Sequence, residues 1–188
     1  MIYLDNSATT KPCAEAVEAV AQALTQDWGN PSALYDFGIH AARQLRSARH
    51  AVAAAMGAEP DRVFFTSCGT EADNWAVYGT AKRLGKRGKH IVTTAIEHHA
   101  ILNCMKDLEV TYLQPDNLGN ISPDSLKAAL RKDTVLVSIM MVNNEAGSVM
   151  PIAQMAKLTH RLCPDAIFHT DAVQGFLKIP FQAKTLGA

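Results

Sequence analysis

The sequence predicts an α/β fold in which a mainly parallel sheet is flanked by helices and preceded by an N-terminal helical segment. From residue 63 onward, short apolar runs typical of strands alternate with longer segments of helical period. The strand runs are apolar on both faces, as expected of strands buried between two helix layers. A chain of 188 residues, 48% of them hydrophobic, is long enough to bury one core. We therefore expect residues 1–188 to form one domain or part of one.

The N-terminal helical segment is predicted to contain two helices. In residues 14–24 apolar side chains recur at helical spacing, directly after Lys11 and Pro12. A second, alanine-rich helix is expected from about Asp36 to Met56. Gly57 should end this helix, because glycine readily adopts the left-handed conformation found at helix C-termini.

The alternating part of the chain is predicted to hold five strands and four helices. The strands are expected at residues 63–66, 90–94, 110–113, 134–141 and 166–170. The helices are expected at residues 71–84, 100–107, 123 to about 131, and 152–162. Ser122 is a predicted N-cap, followed by Pro123 at the first helical position. In such folds ligands bind beyond the carboxyl ends of the strands, so the residues that follow each strand matter most.

Charge and cysteine content argue against several classes of protein. Eighteen Lys and Arg balance eighteen Asp and Glu, so no long-range field attracts nucleic acid or an anionic membrane. The four cysteines, at positions 13, 68, 104 and 163, form no C-x-x-C pair, which argues against a zinc knuckle and a disulfide framework. No signal peptide is visible, and no apolar run approaches the roughly 18 residues of a membrane helix. We expect a soluble, unprocessed protein in the reducing cytoplasm.

The loop after the first predicted strand has the features of a phosphate site. Gly69 and Thr70 stand where small residues run into a helix N-terminus, and the free N–H groups and helix dipole there favour an anion. An ordinary N-cap with a tight turn explains the same residues, since neither G-x-G-x-x-G nor a Walker lysine is present.

The second predicted strand is followed by Glu97, His98 and His99. Metal ligation is a weak interpretation, because neighbouring side chains point apart and no H-E-x-x-H spacing occurs. An aromatic stacker or proton carrier is a second interpretation of His98. A solvated or capping histidine is the third.

The last two predicted strands are followed by amides and an acid. Asn144 belongs to a segment rich in Asn and Gly, a composition that an ordinary turn also explains. Asp171 and Gln174 follow the final strand, where a helix cap would explain an isolated aspartate equally well. Yet a helix start, a histidine, amides and an acid at four strand ends describe one polar crevice. A phosphorylated aromatic cofactor requires such a set of groups.

Five motifs in one register resemble a known family. They are YLDNSATT at residues 3–10, GNPS at 29–32, FTSCGTEADN at 65–74, NNEAG at 143–147 and HTDAVQ at 169–174. Together they resemble cysteine desulfurases of the nitrogen-fixation and iron–sulfur-assembly type, within the class V aminotransferase group of enzymes that use pyridoxal 5′-phosphate (PLP). The resemblance extends over essentially the whole chain.

The resemblance implies a role for each residue at the strand ends. Gly69 and Thr70 would hold the PLP phosphate, and His98 would stack on the ring and assist proton transfer as the catalytic histidine. Asn144 and Gln174 would bond the phenolic oxygen of the cofactor. Asp171 would pair with the pyridine N–H, because an anionic partner keeps that nitrogen protonated.

The resemblance also implies an activity and the groups that this stretch of sequence does not supply. Family members remove sulfur from L-cysteine, giving alanine and an enzyme persulfide for a sulfur-acceptor protein, and are cytoplasmic homodimers. Their cofactor-bearing lysine and sulfur-accepting cysteine match no residue here, and Lys178 matches a different position. We therefore expect the chain to be the N-terminal part of the PLP-dependent domain, lacking the C-terminal part and inactive alone.

Several alternatives remain open at the level of sequence. A selenocysteine lyase or another class V transferase would share the cofactor residues, since these do not determine substrate choice. A non-catalytic remnant that binds PLP weakly or contacts a partner is a third possibility. Cys68 is expected to be a small packed residue and the other three cysteines to be structural, so none is expected to be a nucleophile. A dinucleotide-binding Rossmann protein is a poor match, because its glycine fingerprint is missing.

Overall fold

Two α-helices account for most of the first 64 residues. In the computed structural model, which describes residues 2–188, α1 spans Ala14–Thr25 and α2 spans Asp36–Met56. Gly57 follows α2 in the left-handed conformation, at φ 65°, and its N–H bonds back to the last helical turn. The predicted N-terminal helical segment is therefore confirmed, including the glycine that ends it.

The strand predicted at residues 63–66 is wrong. A 3₁₀ helix, Pro60–Arg62, leads into this stretch, and within residues 2–188 the stretch pairs with no other strand. Val63 is buried, but Phe64 is 73% exposed. Apolar character alone does not make a strand, because a strand also needs a neighbour to complete its hydrogen bonds. The loop that begins α3 therefore follows an extended segment outside the sheet.

A four-stranded parallel sheet forms the centre of the second part of the chain, which runs from Phe65 to Ala188. Its strands are β1 (His90–Thr94), β2 (Glu109–Leu113), β3 (Thr134–Ser138) and β4 (Ile167–His169). The order across the sheet is β2-β1-β3-β4, and every neighbouring pair is parallel. The predicted α/β fold with a parallel sheet is therefore confirmed.

Five helices accompany the sheet. They are α3 (Gly69–Leu84), α4 (His99–Cys104), α5 (Pro123–Ala129), α6 (Ile152–Leu162) and α7 (Ala183–Leu186). The first begins two residues before its predicted start, and the last was not predicted. The Ser122 side chain accepts the N–H of Ser125 at 3.0 Å, which confirms the N-cap expected there.

Both faces of the sheet are covered, and the strand period explains how. Ile91 packs with α3 and α4 residues such as Val77 and Ile101. Val92, the next residue along β1, packs in a separate cluster with residues of α5 and α6, including Leu126 and Met155. Successive side chains of a strand point to opposite faces, so these two clusters lie on the two sides of the sheet.

The architecture fixes where the polar loops meet. In a parallel sheet all carboxyl ends lie at the same edge, so the loops leaving β1, β3 and β4 emerge side by side. Along residues 2–188, no helix has both the length and the apolar character that crossing a bilayer demands.

Candidate cofactor site

Helix α3 begins with an N-terminus that is open to an anion. In the described chain its N-cap, Cys68, is extended and makes no capping bond with its side chain. The Glu71 carboxylate turns back to Ser67 instead, accepting its backbone N–H at 2.7 Å and its hydroxyl at 2.8 Å. Thr70 is exposed in the first turn. The turn therefore presents amide N–H groups and a hydroxyl to an incoming anion.

The first residue of α3 lies close to the loop that follows β4. A Cβ atom placed on Gly69 would lie 3.5 Å from Cγ2 of Val173, an ordinary van der Waals distance. Val173 also donates its backbone N–H to Oδ1 of Asp171 at 2.9 Å. The start of α3 and the Asp171 carboxylate are thus brought into one neighbourhood, although about a hundred residues separate them in sequence.

Asp171 is held firmly where the sheet ends. It is 9% exposed, and its backbone oxygen accepts the N–H of Met141 at 2.8 Å, which continues the pairing of β3 with β4. Three residues later, the half-buried Gln174 accepts a hydrogen bond from the ammonium group of Lys178 through its amide oxygen. Lys178 is therefore engaged in orienting Gln174.

His98 lies between the start of α3 and the loop after β3. Its Nδ1 accepts the N–H of Ala100 at 3.2 Å and so caps α4, which puts the ring proton of the neutral imidazole on Nε2. The exposed ring lines two cavities. One, of ≈ 380 Å³, also includes Thr70. The other, of ≈ 420 Å³, also includes Asn144.

The two neighbouring asparagines after β3 do different things. Asn143 is buried and shapes the loop: its Nδ2 donates to Ile96 O at 2.9 Å, and its Oδ1 accepts the N–H groups of Glu145 and Ala146. Asn144 is half-buried and lines the cavity beside His98. The predicted site residue Asn144 is therefore presented by a neighbour that sequence reasoning gave no role.

Glu97 is a structural acid in the interior. It is 4% exposed, and its Oε1 accepts the hydroxyl of Thr94 at 2.7 Å and the N–H of Met140 at 2.9 Å. Burial raises the pKa of Glu97 to about 8, so the carboxyl is protonated at neutral pH. Within residues 2–188, no group of three or more His, Cys, Asp and Glu side chains has the arrangement of a metal site.

Two of the four cysteines are buried and two are exposed. Cys104 and Cys163 are buried, and burial raises the pKa of both thiols, in agreement with their expected structural role. Cys13 and Cys68 are exposed, so the expectation that Cys68 is packed is wrong. The backbone N–H of Glu71 and the Ser67 hydroxyl lower the pKa of Cys68. The loop that contains Cys68 lies at the protein surface, so even a small residue within it is exposed.

Sequence reasoning gave no role to Asp73 and His169, and it considered Glu97 only as a possible metal ligand. Asp73 is 6% exposed on α3 and lies against His169, the last residue of β4. A weak signal was available for Asp73, since it follows Gly69 by four residues and so lies on the same helix face. His169 was quoted only as part of a motif.

The chain is similar to proteins of one family along its whole length. A model of the family described as Aminotransferase class-V matches residues 2–188. The cysteine desulfurase IscS of Methanosarcina thermophila is 44% identical over 190 residues, an alignment covering 98% of this chain and 46% of that protein. A cysteine desulfurase of Trichormus azollae is 45% identical over 190 residues, covering 98% of this chain and 47% of that protein.

Solved structures show the same likeness. A NifS-like protein superposes with a TM-score of 0.94 at 36% identity, covering 98% of this chain and 52% of its own. A structure described as SspA in complex with cysteine superposes with a TM-score of 0.92 at 32% identity, covering 98% of this chain and 54% of its own. The chain spans about half the length of the curated relatives it matches.

Proposed function

The chain belongs to the aminotransferase class-V family, and we propose that it forms the cofactor-binding part of a PLP-dependent cysteine desulfurase. The complete enzyme would take L-cysteine as substrate and release alanine, leaving a persulfide on the enzyme. A sulfur-acceptor protein of an iron–sulfur or other sulfur-transfer route would receive that sulfur. We further propose that the complete enzyme is a cytoplasmic homodimer.

The close approach of the start of α3 to the loop after β4 carries this proposal. A Cβ atom placed on Gly69 would lie at van der Waals distance from Val173, and the Val173 N–H donates to the Asp171 carboxylate. PLP needs an anion site and a carboxylate at opposite ends of one small ring. The approach of these two segments brings a helix N-terminus and a carboxylate into one neighbourhood, as such a ligand requires.

The donor set of the site fits such a ligand. The open helix N-terminus and Thr70 would bind the phosphate, which carries negative charge. The His98 ring, which shares one cavity with Thr70 and another with Asn144, would cover one face of the ring system. Asn144 and Gln174 would bond the phenolic oxygen, each through an amide whose position is set by its neighbours.

Asp171 and His98 would each have one defined role in the reaction. PLP, when bound, supplies an electron sink for the bond-breaking steps at the substrate's α-carbon. Asp171 would hold a proton on the ring nitrogen, since a buried anion favours the charged form of a neighbouring base. His98 carries its proton on Nε2, the nitrogen that does not cap α4, and would move a proton at that atom.

The isolated chain is proposed to release no sulfide from cysteine. The lysine and the thiol that the family uses match no residue of the printed sequence. Lys178 matches a different position of the family pattern, and its ammonium group donates a hydrogen bond to Gln174. We therefore expect this polypeptide to bind the cofactor without turning over cysteine.

The test compares pyridoxamine phosphate with pyridoxamine as probes for the purified chain. Neither probe has an aldehyde, so surface lysines form no adducts with them. We expect Thr70→Ala to weaken binding of the phosphorylated probe by roughly tenfold, the loss of about one charge-assisted hydrogen bond, and to leave pyridoxamine unaffected. Asp171→Asn should weaken both probes. The matched controls are Thr185→Ala and Asp107→Asn, at exposed positions outside the site.

Two outcomes of this comparison count against the proposal. One is a wild-type chain that binds both probes equally weakly, and the other is equal affinity in wild type and the two site variants. Sulfide release is measured in parallel with PLP and L-cysteine. Release by the isolated chain that disappears in Asp171→Asn would overturn the proposed inactivity and leave the cofactor site standing.

A further inference from the structure

A second carboxyl and an imidazole meet in the interior next to Asp171. Oδ1 of Asp73, on α3, lies 3.7 Å from Nε2 of His169, at the end of β4. The other ring nitrogen of His169, Nδ1, lies 2.9 Å from Oγ of Ser138, at the end of β3. The imidazole is therefore hydrogen-bonded at Nδ1 and lies near a carboxyl at Nε2, and only one residue separates it from Asp171 in the sequence.

Charge and burial act on this pair in opposite directions. Burial, followed by the charge of Asp171, raises the pKa of Asp73 to about 7. Burial lowers the pKa of His169, while the charge of Asp171 opposes that change. Ionising two neighbouring buried carboxyl groups costs free energy, because burial removes water from each charge and the two charges repel each other. The structure therefore favours one negative charge in the trio near neutral pH.

Two other titratable groups are influenced by the same buried carboxyl groups. Burial, with smaller contributions from the charges of Asp171 and Asp73, raises the pKa of Glu97, which follows β1. Burial, followed by the charge of Asp73, raises the pKa of the Cys104 thiol on α4. Near neutral pH both of these groups are therefore neutral. Asp73 and His169 are left as the members of the cluster able to exchange a proton next to Asp171.

We propose that Asp73 and His169 are positioning residues for Asp171, and that the Asp73 carboxyl, packed against the imidazole, gains or loses one proton next to the carboxylate that would face the cofactor's ring nitrogen. The proton is exchanged with water, so no other reactant is involved. While the pair holds its proton it is neutral, and Asp171 carries the charge of the trio. When the pair loses its proton, a second negative charge arises behind Asp171. This inference rests on the proposed function and deepens its description of the acid that holds the ring nitrogen.

The first test follows the His169 ring by NMR in the cofactor-free chain. In wild type the ring signals should shift with a midpoint close to the Asp73 pKa of about 7, because the imidazole senses that proton. Asp73→Asn should remove this step, and the exposed Asp107→Asn control should keep it. Identical His169 titrations in wild type and Asp73→Asn would overturn the proposal.

The second test measures the affinity for pyridoxamine phosphate against pH. Near pH 6 Asp73 is protonated, so wild type and Asp73→Asn should bind alike. Near pH 8 only wild type has the extra charge behind Asp171, and it should bind roughly tenfold more tightly than Asp73→Asn. Asparagine matches the shape of aspartate, and circular dichroism checks the fold. His169→Gln, as a second variant, should flatten the same pH profile.

The two tests keep this inference separate from the proposed function. If the probe does not bind wild type but the His169 signals follow the titration of Asp73, the cofactor proposal fails and the inference about Asp73 and His169 stands. If the probe binds with the same pH profile in wild type and Asp73→Asn, the pair has no positioning role and the cofactor proposal stands.

Discussion

Glu97 and Met140 join the loop after β1 to the end of the neighbouring strand β3. Oε1 of Glu97 accepts the N–H of Met140 at 2.9 Å, across 43 residues of sequence. The same oxygen accepts the Thr94 hydroxyl at 2.7 Å. A buried, protonated carboxyl thus ties together two of the loops that build the site, directly beside His98.

Glu97→Gln should reduce the loss of stability at alkaline pH. The pKa of Glu97 is raised from 4.5 to about 8, so between these values the folded chain holds a proton that the unfolded chain releases. The contribution of Glu97 is therefore complete below its unfolded pKa and is lost as pH rises through about 8. Glutamine, always neutral, should keep a free energy of unfolding that falls less across this window, by on the order of a few kcal/mol.

Denaturant unfolding at a series of pH values measures this effect. Asp73 contributes a slope of the same sign up to its pKa of about 7, so Glu97→Gln should retain part of the dependence. The exposed Glu145→Gln serves as the control. Equal pH slopes in wild type and Glu97→Gln would show that Glu97 is ionised in the fold.

Alanine substitutions of the two neighbouring asparagines should have different effects: the one at Asn143 on stability and the one at Asn144 on probe binding. Asn143→Ala removes a donor to Ile96 and an acceptor for two loop N–H groups, all partly or fully buried. We expect it to lower the free energy of unfolding by about 2–3 kcal/mol. Asn144→Ala should change stability by less than about 1 kcal/mol and yet weaken pyridoxamine phosphate binding. Thermal melts and probe titrations check both, and the reverse pattern would mean that Asn144 shapes the loop.

Gly69 should tolerate one methyl group and reject a larger side chain. Its Cβ position lies 3.5 Å from Val173, so alanine fits without displacing that residue. Gly69→Ala should change the free energy of unfolding by less than about 1 kcal/mol. Gly69→Leu should push the start of α3 away from the Asp171 loop and lower probe affinity. Full affinity in Gly69→Leu would mean that the approach of the two segments is irrelevant to binding.

The rate of alkylation should distinguish the exposed cysteines from the buried ones. Iodoacetamide should modify the exposed Cys13 and Cys68 in the folded chain, and the buried Cys104 and Cys163 only after unfolding. Cys68 should react faster than Cys13 near neutral pH, because hydrogen bonds from Glu71 and Ser67 lower its pKa. Bound pyridoxamine phosphate should slow Cys68 selectively. Peptide mass spectrometry measures each rate, and a Cys68 rate unaffected by the probe would place the phosphate away from α3.

Local sequence signals predicted the elements that depend on local physics. The helix of α6 has a clear apolar face, and Gly57 and Ser122 end and begin helices in the expected way. The family assignment, made from five motifs, is also confirmed. Each helix end and each single motif lies within a few residues, so one short segment contains the information that specifies it.

Long-range relationships were less accessible. Residues 63–66 are as apolar as a strand, but pairing depends on a neighbour that the segment itself does not specify. Glu97 was considered with its neighbouring histidines, whereas its partners are Thr94 and the distant Met140. The pairing of Asp73 with His169 joins a helix to the end of β4, and no spacing rule connects the two.

Amide-resolved NMR of the chain during addition of pyridoxamine phosphate tests the central claim most directly. If one ligand bridges the start of α3 and the acid after β4, the amide signals of Thr70 and Val173 should shift together with a single dissociation constant. Signals near the exposed Asp107 should stay in place. Shifts confined to one of the two segments, or two unrelated dissociation constants, would contradict a shared cofactor site.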